Sequence, residues 1–350
     1  MLLVLALAAA IWFGGGFVGI SRGPRMAVLA VLAGAVVLAQ LTLPLTHPLR
    51  LATGRSLAGW AILAAVAALV LIYRWGLGRL KARAAGPAAA PDTPLFSEAE
   101  LERYARHIVL RELGGPGQKA LKQARVLVIG AGGLGAPALI YLGAAGVGTI
   151  GVIDDDLVEN ANLQRQVIHR AADIGMPKVF SAEAALRAQN PHIAIRPYNR
   201  RLDAENAAAL FADYDLILDG TDDFATRYLA NRTAVAQGKP LISGALSQWE
   251  GQVSVFDPGK GAPCYQCIFP QAPAPGLAPT CAEAGVLGPL PGVVGAMMAV
   301  EAVKVITGAG AALRGQMLIY DALWGETRKI GLKRRDDCPV CGLESGVARA

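Results

Sequence analysis

The first quarter of the chain repeats one pattern, a long apolar run with no charged residue in it. The runs extend from Met1 to Ser21, Met26 to Leu49 and Ser56 to Tyr73. A helix that crosses a bilayer needs roughly 20 apolar residues, with about 17 as the short limit. The pattern therefore predicts a membrane anchor of three transmembrane helices in residues 1–81. The first run lacks the basic segment that a cleaved signal carries ahead of its apolar stretch. Residues 82–94 (ARAAGPAAAPDTP) are rich in Ala and Pro, the composition of a semi-extended linker. From residue 95 the apolar runs shorten and alternate with helical periods. Ser97 and Glu100 form a capping box that opens an amphipathic helix through about Leu110. Short apolar runs follow at 125–130 (RVLVIG), 149–154 (TIGVID), 193–198, 215–219 (DLILD) and 241–244, each the signature of a buried parallel strand. Helical segments at 136–145 and 178–189 lie between them. Such β-α-β-α alternation predicts a doubly wound, Rossmann-like sheet. Gly251–Phe256 and Gln316–Asp321 read as antiparallel strands, and 292–307 as a helix. The expected fold is thus α/β, with a mixed sheet that is parallel first and antiparallel later, preceded by three transmembrane helices.

Composition sharpens this division. Of 350 residues 53% are hydrophobic and 17% charged, which excludes a mainly disordered chain. No Asp or Glu occurs from Met1 to Pro91, yet Arg22, Arg25, Arg50, Arg55, Arg74, Arg79, Lys81 and Arg83 do. The remainder holds 25 of the 33 basic residues against all 27 acidic ones. Nucleic-acid binding would need the basic residues on the folded part, so that class is excluded. With three spans, Arg22 and Arg25 share a side with Arg74, Arg79, Lys81 and Arg83, opposite Arg50 and Arg55. The richer side is cytoplasmic by the positive-inside rule. The expected location is the inner membrane, multi-pass, with the large domain (95–350) in the cytoplasm.

Five groups carry candidate chemistry. Gly130-Ala131-Gly132-Gly133-Leu134-Gly135 joins a strand to a helix, where backbone N–H groups and the helix dipole attract phosphate. Asp154 ends the next strand, where an acid takes ribose hydroxyls. The pattern does not separate NAD from ATP. Asp154 to Gln166 (DDDLVENANLQRQ) is too polar for an NAD adenosine pocket alone, and Arg165 has the fixed fork that clamps phosphate; a solvated loop is the plain alternative. Asp219-Gly220-Thr221-Asp222-Asp223 closes another strand at the ligand-binding edge of such a sheet, and a carboxylate there suits Mg²⁺. Cys264, Cys267, Cys338 and Cys341 form two C-x-x-C pairs, a closed tetrahedral set of the structural zinc type. Cys281 stands apart, beside a Pro-rich stretch, as a nucleophile or as a small buried residue.

These features, in this order, resemble the MoeB/ThiF/HesA family, bacterial relatives of ubiquitin-activating enzymes. The resemblance runs from about Leu101 to Gly342 and rests on RYAR at 103–106, GAGGLG at 130–135 and NLQRQ at 162–166. It continues through GMPK at 175–178, NPH at 190–192, LDGTDD at 218–223, EGQ at 250–252, TCAEAGV at 280–286 and both C-x-x-C pairs. The runs NLQRQ, NPHIAI and EAGV are nearer MoeB than ThiF. The resemblance implies adenylation of a ubiquitin-like sulfur carrier, MoaD-like in the first place, in molybdenum cofactor biosynthesis. The same chemistry on a ThiS-like carrier of thiamine biosynthesis is the alternative. It further implies that Gly132, Gly133, Asp154, Asp156 and Gln166 bind the nucleotide, and that Asn162, Arg165 and Lys178 contact phosphates. Asp222 would hold magnesium, with Asp223 beside it among the nucleotide-binding residues; Arg106 would reach into the partner's ATP site of a homodimer; and Cys281 would sit where some relatives transfer sulfur. No rhodanese-like segment follows Cys341, so a separate protein is expected to donate sulfur. Two features depart from the family: Asp223 replaces the usual Asn, and the family is otherwise soluble. An NAD oxidoreductase is disfavoured by the lack of a catalytic His or Tyr-Lys arrangement. A non-catalytic scaffold would not need Arg106, Arg165, Lys178 and Asp222 together.

Overall fold

The computed structural model describes residues 1–54, 56–84, 95–274 and 284–342, with backbone only at 81–84. Cys281, Arg55 and most of the 82–94 linker lie outside the described residues. The chain forms two compact units, Met1–Thr93 and Pro94–Ala350.

The first unit is helical: α1 (Leu2–Phe17), α2 (Arg22–Thr42), α3 (Pro48–Thr53) and α4 (Leu57–Ala84). The three apolar runs do form helices, but α1 is shorter than its run. At 1.5 Å per residue it spans about 24 Å, against roughly 30 Å of bilayer hydrocarbon. Its middle widens into a π-helical turn at Ala10–Gly14, and the helix ends before Gly19, which takes a positive φ of 78°. Arg25 uses the loosened backbone, donating to the Trp12 carbonyl at 2.9 Å with its guanidinium 5.5 Å from the Trp12 ring. In α2 only Val36 and Gln40 are buried. Gln40 donates to the Thr53 hydroxyl at 2.9 Å and to the Gly54 carbonyl, which ties α3 back onto α2.

The second unit is built on one sheet. Its elements are α5 (Glu98–Arg103), α6 (Ala105–Ile108), α7 (Gly114–Gln123), β1 (Arg125–Ile129), α8 (Gly135–Ala145), β2 (Thr149–Ile153), α9 (Lys178–Gln189) and β3 (Ala194–Tyr198). They continue with α10 (Ala207–Ala212), β4 (Leu216–Asp219), α11 (Phe224–Ala236), β5 (Leu241–Leu246), β6 (Glu250–Phe256) and α12 (Tyr265–Ile268). α13 (Pro289–Thr307), β7 (Gln316–Asp321) and β8 (Glu326–Gly331) complete the series. The strand order is β3-β2-β1-β4-β5-β6-β7-β8. Pairing is parallel from β3 to β5 and antiparallel from β5 to β8, as the apolar pattern predicts. The helix opened by the Ser97 capping box is broken at Tyr104, so α5 and α6 are separate. Tyr104 is buried there and its hydroxyl accepts from the Asn190 amide at 2.8 Å. The RYAR and NPH motifs therefore pin the first helices to α9. Every residue of β8 is exposed, and it lacks the apolar alternation that would have marked it in sequence.

Core packing places the site. Leu139 and Leu142 of α8 and Val294 and Met298 of α13 lie under one face of the sheet. Phe211, Tyr214 and Phe256 fill the other. The order of the strands reverses between β1 and β4. At such a switch point the connections leave toward opposite faces and open a crevice at the carboxyl ends of the strands.

Candidate active site

Three loops reach that crevice, one each from β1, β2 and β4. The register aligns Ile129 with Ile153 and with Asp219, so the three loops start level. The glycine turn after β1 is tight. A side chain at Gly135 would overlap the Gly130 carbonyl, so the helix can start this close to the strand only with glycine at that position. The Ala131 peptide is held from both sides: its N–H donates to Asp154 Oδ2 at 2.7 Å and its carbonyl faces His169 Nε2 at 3.0 Å. The other Asp154 oxygen accepts the Asp156 N–H at 2.8 Å. Asp154 thus braces the ends of β1 and β2 and keeps a second lone pair on each oxygen. Burial pushes its pKa up, against the pull of Lys178 and the two N–H groups.

Lys178 is the first residue of α9. An ammonium group at a helix N-terminus opposes the helix dipole. Here it is nearly buried and pairs with Asp156 Oδ2 at 2.6 Å, while Asp156 itself remains largely exposed. A buried cation with an exposed, displaceable anion is suited to receive a phosphate. Arg165 makes only long bonds, to the Ala161 carbonyl at 3.2 Å and to Asn162 Oδ1 at 3.3 Å. Its stem lies 3.6 Å from where a side chain at Gly133 would begin. Gln166 is buried beside Gly132, and its Oε1 has no hydrogen-bond partner. A buried, unpaired acceptor costs about 1–3 kcal/mol unless a ligand or water donates to it. Gly132, Gly133, Asp154, Asp156, Asn162, Arg165, Gln166 and Lys178 are therefore brought together in one corner.

The loop after β4 faces them, with the Gly220 carbonyl 3.4 Å from the side-chain position of Gly130. Asp222 is exposed and without a hydrogen-bond or ion-pair partner among the described residues. Asp223 instead caps α11, accepting from the Thr226 N–H at 3.0 Å and the Thr226 hydroxyl at 2.6 Å, and pairs with Arg201 at 3.0 Å. Burial raises its pKa, but the Thr226 bonds and Arg201 outweigh that and hold it below the usual carboxylate range. The charge that an aspartate brings in place of asparagine is thus offset by Arg201 and the helix N-terminus. Arg106, on α6, is exposed and has no partner among the described residues.

The four paired cysteines converge on a buried cluster. Cys264 lies 3.6 Å from Cys338 and Cys267 lies 3.4 Å from Cys341, sulfur to sulfur; Cys264 and Cys267 are 3.9 Å apart. A tetrahedral ion with sulfur ligands at about 2.3 Å sets its ligands about 3.8 Å apart. The set fits zinc, and these separations are far beyond a disulfide bond. The hydrogen bond from Cys264 lowers the pKa of the Cys267 thiol.

Two further residues support the crevice. His169 links the turn to α9 through Ser181 Oγ at 2.8 Å, and Arg227 of α11 lies beneath the β4 loop. Both are nearly buried. Histidine three residues past Gln166, and arginine one helical turn past Asp223, are the only traces they leave in sequence.

Residues 104–340 match the model of the ThiF family. The chain belongs to that family. It is 50% identical over 253 residues to the sulfur carrier protein adenylyltransferase of Thermus thermophilus, covering 71% of this chain and 93% of that protein. It is 48% identical over 248 residues to the SAMP-activating enzyme E1 of Haloferax volcanii, covering 71% of this chain and 91% of that protein. The adenylyltransferase and sulfurtransferase MOCS3 of Mus musculus is 45% identical over 269 residues, 75% of this chain, and the match spans 58% of the mouse protein. With its relatives, this member of the ThiF family is an adenylyltransferase. Solved structures share the α/β fold. PaaA superposes with a TM-score of 0.60 at 22% identity, covering 75% of this chain and 82% of PaaA. E. coli MccB with ATP gives 0.60 at 22%, covering 71% and 76%.

Proposed function

We propose that this enzyme adenylates the C-terminal glycine of a small ubiquitin-like sulfur carrier, MoaD-like, for thiocarboxylate formation in molybdenum cofactor biosynthesis. The single observation that carries this is the crevice between β1 and β4. A glycine turn, a braced acid, a buried lysine and an arginine held only by long bonds share one side, and a carboxylate unpaired among the described residues stands on the other. The name of the Thermus relative supports a carrier-protein substrate, and the NLQRQ and NPHIAI runs favour MoaD-like over ThiS-like.

In this reading the turn at Gly132 and Gly133 admits the nucleotide, Asp154 holds the ribose, and Gln166 Oε1 accepts from it. A carboxylate oxygen of the carrier attacks the α-phosphorus, the bond to the β-phosphate oxygen breaks, and pyrophosphate leaves. Negative charge grows on the non-bridging oxygens as this happens. Lys178, Arg165 and Asn162 provide preorganised donors for it, and one such donor is worth about 3–4 kcal/mol of barrier. Lys178 exchanges Asp156 for phosphate. Asp222 holds magnesium, which neutralises phosphate charge. Cys264, Cys267, Cys338 and Cys341 hold zinc and pin the C-terminal segment to α12. Arg106 completes the site of a second copy in a homodimer, Cys281 takes part in sulfur transfer, and sulfur comes from a separate donor.

The same proposal puts the first unit in the inner membrane. α2 and α4 are long enough to span it, and α1 is short. The side of the second unit does not depend on α1. Two spans separate Arg22 and Arg25 from Arg74, Arg79, Lys81 and Arg83, so all six share one side, cytoplasmic by charge.

The test is ATP–pyrophosphate exchange by the full chain in detergent micelles, with MoaD-like and ThiS-like carriers in parallel. Exchange with the MoaD-like carrier, abolished by Asp222→Ala, is expected. Exchange with the ThiS-like carrier alone would move the enzyme to the other pathway. An Asp222→Ala variant working at the normal rate would remove the role given to that residue.

A further inference from the structure

Among the described residues no side chain or backbone group pairs with the Asp222 carboxylate, yet its position is not left to chance. The side chain beneath it is Arg227, on the first turn of α11 and 5% exposed. Its guanidinium donates to the Ser243 hydroxyl at 3.1 Å and to the Gly244 carbonyl at 2.8 Å, both in the middle of β5, where Ser243 pairs with Asp219 at the end of β4. It also donates to the Thr221 carbonyl. Its counter-charge is Asp219, 1% exposed, 3.8 Å away. Asp219 in turn accepts the Thr221 N–H at 3.0 Å and the Thr221 hydroxyl at 2.7 Å, and the Ser243 hydroxyl at 3.3 Å. Every group in this buried cluster has a partner. Thr221 is therefore gripped by its amide, its hydroxyl and its carbonyl at once.

The carbonyl bond is the informative one. A peptide unit is flat, so the Thr221 carbonyl, the Asp222 nitrogen and the Asp222 Cα move together. Drawing that carbonyl inward toward Arg227 fixes the Asp222 Cα from behind. On the far side, the Asp223 cap fixes the next residue against the N-terminus of α11. The carboxylate of Asp222 is held by its two shoulders and left bare.

We propose that Arg227 is a positioning residue that sets the Asp222 carboxylate for a divalent cation, an inference that rests on Asp222 holding the nucleotide's metal. Three acceptors on two separate segments need the planar fork of arginine, and a lysine ammonium cannot reach all three in one geometry. Arg227→Lys keeps the charge beside Asp219 and loses the fork.

The experiment compares the full chain with Arg227→Lys in detergent micelles by two readouts. The first is binding of Mn²⁺–ATP, followed by the electron paramagnetic resonance of Mn²⁺, which requires no turnover. The second is the Mg²⁺ dependence of ATP–pyrophosphate exchange. Arg227→Lys is expected to weaken Mn²⁺–ATP at least tenfold while metal-free ATP changes less than twofold. The half-saturating Mg²⁺ concentration is expected to rise by a similar factor. A variant with lowered thermal stability but a metal dependence within twofold of wild type would make Arg227 a purely structural residue and overturn the proposal. A wild-type chain without metal-dependent ATP binding would overturn it as well. Absent exchange by the wild type would instead defeat the adenylation reading, and the Mn²⁺ arm would still decide Arg227. Should Arg227→Lys not fold, Ser243→Ala loosens the same fork from β5; a shift of at least threefold in metal affinity is expected, and no shift counts against the proposal.

Discussion

Helices α2 and α13 are close to interchangeable as sequences. One has 21 residues, the other 19, and their most apolar 18-residue stretches have mean hydropathies of 1.9 and 1.6. Their surroundings are opposite. In α13, Leu290, Val294, Met298 and Ala302 recur every four residues and are all buried, packed under the sheet and against α8. In α2 only Val36 and Gln40 are buried, and Val31, Leu38 and Leu41 are 73%, 62% and 67% exposed. Apolar composition thus states what a helix must avoid, and says nothing of what will shield it. For α13 the shield is the rest of the second unit. For α2 the described residues of the first unit cover little beyond Val36 and Gln40, and in the membrane reading proposed above the demand falls on lipid. The cysteine cluster is a third case: it is buried by the protein, and in the reading proposed above it takes a cation from outside.

Substituting the same residue type in each helix gives the strongest way to break this comparison. Val294→Asp places an unpaired carboxylate in the core, at a cost of about 3–5 kcal/mol or more. Marginal stability makes that enough to unfold most molecules. Urea unfolding followed by near-ultraviolet circular dichroism should show the loss. A well-folded Val294→Asp protein would mean that α13 is shielded less completely than its burial indicates. Gly295 gives a milder version. A methyl group there would overlap the Leu134 carbonyl and the Pro137 ring, so Gly295→Ala should cost about 1–3 kcal/mol by overpacking.

The cysteine cluster comes next. Cys338→Ser should remove the bound zinc, seen as a fall from one equivalent to none by elemental analysis. The second unit should lose several kcal/mol, since metal bound only by the folded chain stabilises it directly. Full zinc content in Cys338→Ser would show that three sulfurs suffice.

Much of this was legible beforehand, for physical reasons that differ by region. The parallel strands were visible because burial on both faces leaves an unbroken apolar run, as at Val126–Ile129. The boundaries of α9 were visible because Pro177 precedes it and Asn190 ends it. The crevice motifs were visible because glycine, acids and arginine sit at fixed offsets from those strands. What stayed hidden has no local signal. β8 is exposed on both faces and carries no alternation. The break at Tyr104 comes from a distant partner, Asn190. His169 and Arg227 matter through bonds to Ala131 and Thr221 that folding creates. The role of Asp223 depends on Arg201, 22 residues away in the chain.

A smaller effect probes the polar counterpart of the same question, whether a buried polar group is satisfied from within. Ser181 donates to Asp173 Oδ2 at 2.7 Å, and Ser181 faces His169, which faces the Ala131 carbonyl. With Asp173 ionised and His169 neutral, three links share two protons. Burial lowers the His169 pKa below its usual 6.5, and the Ser181 hydroxyl holds Asp173 below 3.8. Between the lowered value of His169 and 6.5, the unfolded chain binds more protons than the folded one. The stability contributed by neutral His169 is therefore complete above about pH 6.5 and lost as pH falls through the folded value. The profile should therefore fall as the solution is acidified below about pH 6.5. His169→Gln should flatten that fall; an unchanged slope would assign it to other groups.

The smallest expected effect on the second unit is none, and it completes the comparison. Val31 lies near the middle of α2, as Val294 lies within α13. If lipid shields α2, Val31→Asp costs about 3 kcal/mol of membrane insertion and nothing in the sheet. The thermal unfolding of the second unit should then stay within about 0.5 kcal/mol of wild type, the usual range for a substitution that touches no core. Flotation with liposomes should fall at the same time. A stable protein that still floats would mean that α4 alone anchors the chain. A second unit destabilised by Val31→Asp would mean that α2 is shielded by protein after all, and the distinction between the two helices would collapse. Only the combination of lost flotation and unmoved stability leaves α2 and α13 as one composition with two different solvents.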